Sequence, residues 1–252
     1  MSLLADPLTL AVLVAAVILL GMAKGGLAGV GALATPLAAL VLPPATAAAL
    51  LLPILIVQDV ISVWAFRQTW DGWIIGWMLP GAAVGVAAGW FYADRVNEAQ
   101  LMAALGAITL AFGLYRLWAE RGGRVVAASS SPGWVGTIFG GAMGFTSQIA
   151  HAGGPPFQMW VTPRRLPHLT FIGTSAILFA IVNWMKVPAY LALGAFPHEV
   201  IVAALLLMPL AIVSTLVTVR WMKRMDPARF YVLIYLLMVF LGAKLLWDGV
   251  AG

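Results

Sequence analysis

The chain has 252 residues, 63% of them hydrophobic and only 9% charged, with a mean hydropathy of +1.00. Soluble domains carry about a quarter charged residues, so this composition excludes a soluble fold and predicts a polytopic helical membrane protein. The formal net charge of +5 lies in short loops, a pattern of membrane topology and lipid contact rather than nucleic-acid binding, and the lack of cysteine excludes disulfides, thiolate metal sites and cysteine nucleophiles.

Apolar runs predict helices at Leu8–Met22, Ala32–Leu42, Ala45–Phe66, Trp73–Tyr92 and Gln100–Ala119. The first could pass for a signal-peptide core. No basic residue precedes it and glycines follow it, so it reads as a retained helix. A polar linker, Glu120–Pro132, separates these from Trp134–Phe145, Pro156–Val161, Leu169–Lys186, Pro197–Arg220 and Ala228–Asp248. No segments of about ten residues with alternating hydrophobicity appear, which argues against a barrel. Between the sixth and seventh helices, Phe145–Pro156 reads FTSQIAHAGGPP and is predicted to hold no helix. Gly153 and Gly154 carry the helix cost of glycine, and Pro155 and Pro156 each remove a backbone donor. Irregular backbone within a membrane is tolerated where protein buries it or where it lines a cavity, so the break reads as half of a substrate site.

The two halves, residues 1–119 and 133–252, repeat. Pro36 and Pro156, Gly21 and Gly141, and Ala32 and Ala152 are each 120 residues apart. Further along, Pro80 and Pro209 are 129 apart, as are Gly113 and Gly242, and Trp118 and Trp247. Arg116, Arg121 and Arg124 flank the linker, Arg164 and Arg165 lie in a second loop, and Arg220, Lys223, Arg224 and Arg229 in a third. The positive-inside tendency makes all three cytoplasmic, with the loops at Asp94–Glu98 and Val187–His198 outside. The predicted fold is all-α, built from two inverted repeats. Each has a re-entrant or short broken-helix hairpin followed by three transmembrane helices; ten plain spans with a parallel repeat are the alternative.

Lys24-Gly25-Gly26-Leu27-Ala28-Gly29-Val30-Gly31 is the first-half counterpart of the central break. Gly25, Gly26, Gly29 and Gly31 let backbone N–H groups approach a ligand, nearby helix starts add partial positive charge, and Lys24 supplies a full one. A lysine inside a membrane costs about 2.5–3.5 kcal/mol on insertion scales, which argues for use over idleness. Snorkelling to the interface is the alternative. In the second break Thr146, Ser147, Gln148, Gly153 and Gly154 offer donors, and His151 is a candidate oxyanion donor or proton relay. Asp59 is expected to pair with Lys24 or Arg67 or to carry a proton. Thr174 and Ser175 are expected to bond back to their own helix, and Asn183 and Lys186 to face an aqueous vestibule, although Lys186 alone reads as a surface residue. Most of the eleven tryptophans read as interface anchors. No pattern calls for a cofactor or a metal.

The Gly-rich stretch with Pro36, then HAGGPP, FIGTS at Phe171–Ser175 and NWMKVPAY at Asn183–Tyr190, resembles the sulfite exporter TauE/SafE family, also called the 4-toluene sulfonate uptake permease family. The resemblance runs from about Leu20 to Leu246, with alanine at 28, 32 and 34 where family members often have glycine. It implies a transporter, not an enzyme, in the bacterial cytoplasmic membrane. Its substrate would be a small anion such as sulfite, or an organosulfonate such as sulfoacetate. Proton or ion coupling and homo-oligomerisation stay open. The other classes are a non-transporting membrane scaffold and an intramembrane hydrolase using Ser147 with His151, for which no orienting carboxylate is evident. The topology is checked by single cysteines labelled from outside with an impermeant maleimide. Cysteine at positions 2 and 252 should react and cysteine at 129 should not; the reverse pattern overturns the assignment.

Overall fold

The computed structural model describes residues 3–27, 29–93, 95, 97–120, 131–222 and 228–251. Linker residues 121–130, Lys223 and Arg224, Asp94, Ala28 and both chain ends lie outside the described residues. Among the described residues ten α-helices follow one another: α1 (Pro7–Lys24), α2 (Ala34–Ala38), α3 (Pro44–Phe66), α4 (Gly72–Ala93), α5 (Glu98–Glu120), α6 (Gly133–Ala150), α7 (Gly154–Val161), α8 (His168–Ala192), α9 (His198–Trp221) and α10 (Ala228–Ala251). Six of them, α1, α3, α4, α5, α8 and α9, are long and apolar enough to cross a membrane. Their outer faces suit lipid. Leu8, Val60, Val84 and Leu206 are each more than 60% exposed, a display of apolar surface that water would penalise. Ten tryptophans are exposed in the same way; Trp160 is the buried exception.

Local chemistry accounts for the helix boundaries. The Asp6 carboxylate accepts from Thr9 N at 2.7 Å ahead of Pro7, a capped start with proline where its missing donor costs nothing. Asn97 and Gln100 cap each other's backbone N–H groups at 2.8 and 3.1 Å and start α5.

The structure corrects several predicted boundaries. α6 continues to Ala150, so most of Phe145–Pro156 is helical after all and the break narrows to His151–Gly153. The Thr146 hydroxyl donates to Ala142 O at 2.8 Å within the helix, and Pro155 and Pro156 fall in the first turn of α7, where proline is tolerated. The predicted helix Ala32–Leu42 is instead a 3₁₀ turn, Val30–Leu33, and the five-residue α2. α8 runs six residues beyond Lys186, with Pro188 inside it. α1 and α6 have 18 residues each, about 27 Å at 1.5 Å per residue, so they approach the thickness of a hydrocarbon core rather than stopping well short of it.

Glycine sets how the helices meet. α4 packs along α6, α5 along α10, and α1 along α9, while α3 lies against both α8 and α9. A Cβ at Gly81 would stand 1.8 Å from Thr137 O, one at Gly85 2.1 Å from Gly141 O, and one at Gly144 2.1 Å from Ala82 O. α4 and α6 therefore touch backbone to backbone, the close approach that small residues permit in membranes. Gly106 and Gly242 do the same for α5 and α10. The tight seams hold α6 in place, and its end carries the break.

This seam is open to a direct test. Gly81→Ala should cost about 1–3 kcal/mol by overpacking and lower the thermal midpoint in detergent. Gly76→Ala, on the same helix with nothing within 4 Å of the added carbon, should be neutral or gain up to about 1 kcal/mol from helix propensity. Equal effects at the two positions would contradict the packing.

Candidate functional site

Both breaks face one cavity of about 100 Å³. Lys24, Gly29, Gly31 and Ala32 line it from the first break, and Ser147, His151 and Gly154 from the second. Leu20 and Ala23 of α1, Leu55 of α3, Phe157 and Gln158 of α7, and Ser175, Ala176, Phe179 and Asn183 of α8 complete the wall. The space suits a small ion and lies below the roughly 300 Å³ at which drug-sized ligand pockets begin.

Lys24 closes α1 and reaches Asp59 of α3 in an ion pair, with its ammonium 5.5 Å from the centre of the Phe179 ring. Asn183 donates to the other carboxylate oxygen at 2.5 Å. Asp59 is 1% exposed, so its charge is bearable only because two donors from two different helices meet it. Ser62, one turn further along α3, donates to Lys24 O at 2.6 Å and fixes the end of α1 where glycine takes over. Of the two partners expected for Asp59, the fold selects Lys24. Arg67 instead binds the Trp64 carbonyl and lies over the Trp64 ring at the surface.

Beside this pair sits a second buried ammonium. Lys186 is 0% exposed, which corrects its reading as a surface residue. It donates to Ser147 O and Ser147 Oγ at 3.2 Å each and meets His151 Nδ1 at 2.7 Å, three partners for the three donors of an ammonium. His151 holds a left-handed conformation (φ 52°) as the cap of α6, and its Nε2 donates to Ala48 O at 2.7 Å. A carbonyl can only accept, so Nε2 carries the proton and Nδ1 accepts from Lys186. Both ring nitrogens are thus engaged in this arrangement. The imidazole makes no bond to the Ser147 hydroxyl, and the pair required by the hydrolase alternative is not formed. Tyr190 donates to Gln148 O at 3.0 Å and stacks on His151.

The remaining candidates separate. Gly25 packs on Thr218 of α9, and Gly153 on Phe179 and Met143. Thr146 spends its hydroxyl on its own helix. Gln148 faces a larger cavity of about 540 Å³ on the other side of His151, one that Ala48, Tyr92, Tyr190 and Pro197 also line. Gly26 borders a third cavity, described below. Ser175 bonds back to Ile172 O at 2.8 Å as expected, yet still borders the site. Sequence reasoning missed Gln158. The available signal was its standing as the lone polar residue among Phe157, Met159, Trp160 and Val161. Among the described residues no three metal-ligating side chains come together.

A family model described as sulfite exporter TauE/SafE matches residues 13–245. The chain belongs to the TauE/SafE family. No curated protein and no solved structure matches it. Family and apolar helices together make this TauE/SafE protein a multi-pass membrane protein of a transporter class.

The ion pair is checked by a double-mutant cycle. Asp59→Ala strands the Lys24 charge and should cost about 3–5 kcal/mol, whereas Lys24→Met with Asp59→Ala removes both charges and should recover much of that loss. Additive single effects in thermal denaturation would show that the two side chains are not coupled.

Proposed function

We propose that this TauE/SafE protein is a secondary transporter that binds a small anion, sulfite or an organosulfonate such as sulfoacetate, between its two Gly-rich breaks and passes it by alternating access. The observation that carries the reading is the convergence of both breaks on one anion-sized cavity beside Lys24. Lys24 lines this cavity and is held by Asp59, while Lys186 lies behind the wall against Ser147 and His151. An arriving anion competes with Asp59 for Lys24. The ion pair then acts as a resident that the substrate replaces, and the released carboxylate is a natural place for a coupled proton.

Packing supports the two-repeat architecture behind this mechanism. Gly21 of α1 abuts Ser214 of α9, and its counterpart Gly141 of α6 abuts Gly85 of α4. Gly85 and Ser214 stand 129 residues apart, the spacing of Pro80 and Pro209. Likewise Gly106 meets Gly242, and Gly113 meets Tyr235, two contacts that exchange into one another at the same spacing. Exchanged contacts of this kind are those of a two-fold relation between the halves, which supports the repeat, and in the inverted form proposed here one site would face either side in turn. The His151–Ala48 and Tyr190–Gln148 bonds stand between the central cavity and the 540 Å³ cavity, where a gate belongs.

Binding to purified protein tests the site. Methanesulfonate, which stays ionised across the working range of pH, is the probe. Lys24→Ala combined with Asp59→Asn leaves no stray carboxylate, and it should weaken binding about tenfold to a few hundredfold, the loss of a charge-assisted contact of about 1.5–3 kcal/mol. Lys24→Arg should retain part of the affinity. Wild-type affinity in the folded double variant would place the site elsewhere, and absence of sulfite or methanesulfonate flux into liposomes would favour the scaffold alternative.

A further inference from the structure

A third cavity, of about 290 Å³, lies beneath the central one and is lined by Gly26, Arg116, Gln158, Thr162, Arg165 and His168, with Leu166 and Phe171. Among the described residues no carboxylate borders it. Its basic side chains come from three places in the chain: the last turns of α5, the turn after α7 and the first residue of α8. We propose that this cavity is a second anion site, a vestibule that collects the transported anion on the arginine-bearing face, and that Gln158 is the residue through which the anion passes to the central cavity. The inference rests on the anion-transport reading and adds a site and a route to it.

Neighbouring arginines show that the vestibule is not simply a charged loop. Arg164 is committed to structure: its guanidinium lies 4.1 Å from the centre of the Trp160 ring and 4.6 Å from that of Trp73, and it donates to Ser131 O at 2.6 Å. Arg165, the next residue, holds a left-handed backbone conformation at φ 53°, a region that a bulky residue occupies at a cost, and it borders the cavity. Arg116 is pinned by a 2.8 Å bond to the Tyr235 hydroxyl, so its charge is held at the wall.

Gln158 belongs to both cavities. It is 4% exposed overall and borders the open space of both cavities, where a primary amide can donate to a ligand's oxygens. Opposite it, Gly29 adopts φ 97°, and a Cβ there would come within 3.2 Å of Gln158 Nε2. Backbone and amide therefore form the narrow point between the two spaces. A primary amide suits that position because it donates to a passing oxyanion without holding it as tightly as a cation would.

Initial flux of labelled methanesulfonate into proteoliposomes, measured below saturation at two salt concentrations, tests both parts. Arg165→Gln with His168→Gln should slow flux about threefold to tenfold at ~20 mM salt and converge on wild type at ~300 mM, because attraction by exposed charges is screened within about a Debye length. Gln158→Met, which keeps length and removes the amide, should slow flux at both salt concentrations, with Gln158→Asn retaining part. Wild-type flux and salt dependence in the Arg165/His168 variant overturn the vestibule, and wild-type flux in Gln158→Met overturns the passage. If the Lys24→Ala/Asp59→Asn protein loses flux while these variants keep it, the central site stands without the vestibule. Absence of methanesulfonate and sulfite flux in the wild type removes both readings.

Discussion

A buried carboxylate governs the centre of this protein. Asp59 sits on α3 in the middle of a hydrophobic chain, and Lys24 and Asn183 reach it from α1 and α8. An unpaired charge there would be expelled or neutralised, so the carboxylate requires a donor from each of these helices. α1 ends at Lys24, and its last carbonyl is taken by Ser62 of the same helix that carries Asp59. The two halves of the chain are thereby tied at one point. That point borders the cavity.

Around this tie the protein uses glycine to bring rigid parts close. Backbone-to-backbone seams between α4 and α6 and between α5 and α10 leave little freedom for those pairs to slide. The irregular segments are different. His151–Gly153 and the turn from Gly25 to Leu33 are short, line the cavity and exchange few hydrogen bonds with their surroundings. Stiff pairs flanking two small breaks are a mechanical arrangement in which movement concentrates at the site. The His151 ring, engaged by Ala48 on one side and Lys186 on the other, couples the second break to α3 and α8.

On the proposed route three cavities follow one another. The largest is mainly apolar and aromatic, the central one holds Lys24, and the third is lined by arginine. The polarity changes in the order a small anion would meet it on crossing. Histidine and tyrosine bonds separate the first two spaces, and a single amide separates the last two.

Composition alone determined the class of this protein, because 63% hydrophobic residues with 9% charged cannot fold in water. Proline and glycine, whose effects on backbone are local, marked both breaks, and the spacing of Pro36 and Pro156 related them. Helix ends were harder to read. Thr146 to Gln148 are polar and precede glycines, yet they stay helical because the Thr146 hydroxyl satisfies its own helix and α4 supports that turn. Lys24 and His151 were legible as unusual residues for a membrane interior. Their partners were not. That Asp59 takes Lys24 rather than Arg67, that Lys186 is buried against His151, and that Gln158 points into the site depend on contacts between residues up to 124 positions apart. Such pairings are decided by how helices pack, and a chain read in order carries periodicity and local chemistry but not which faces meet.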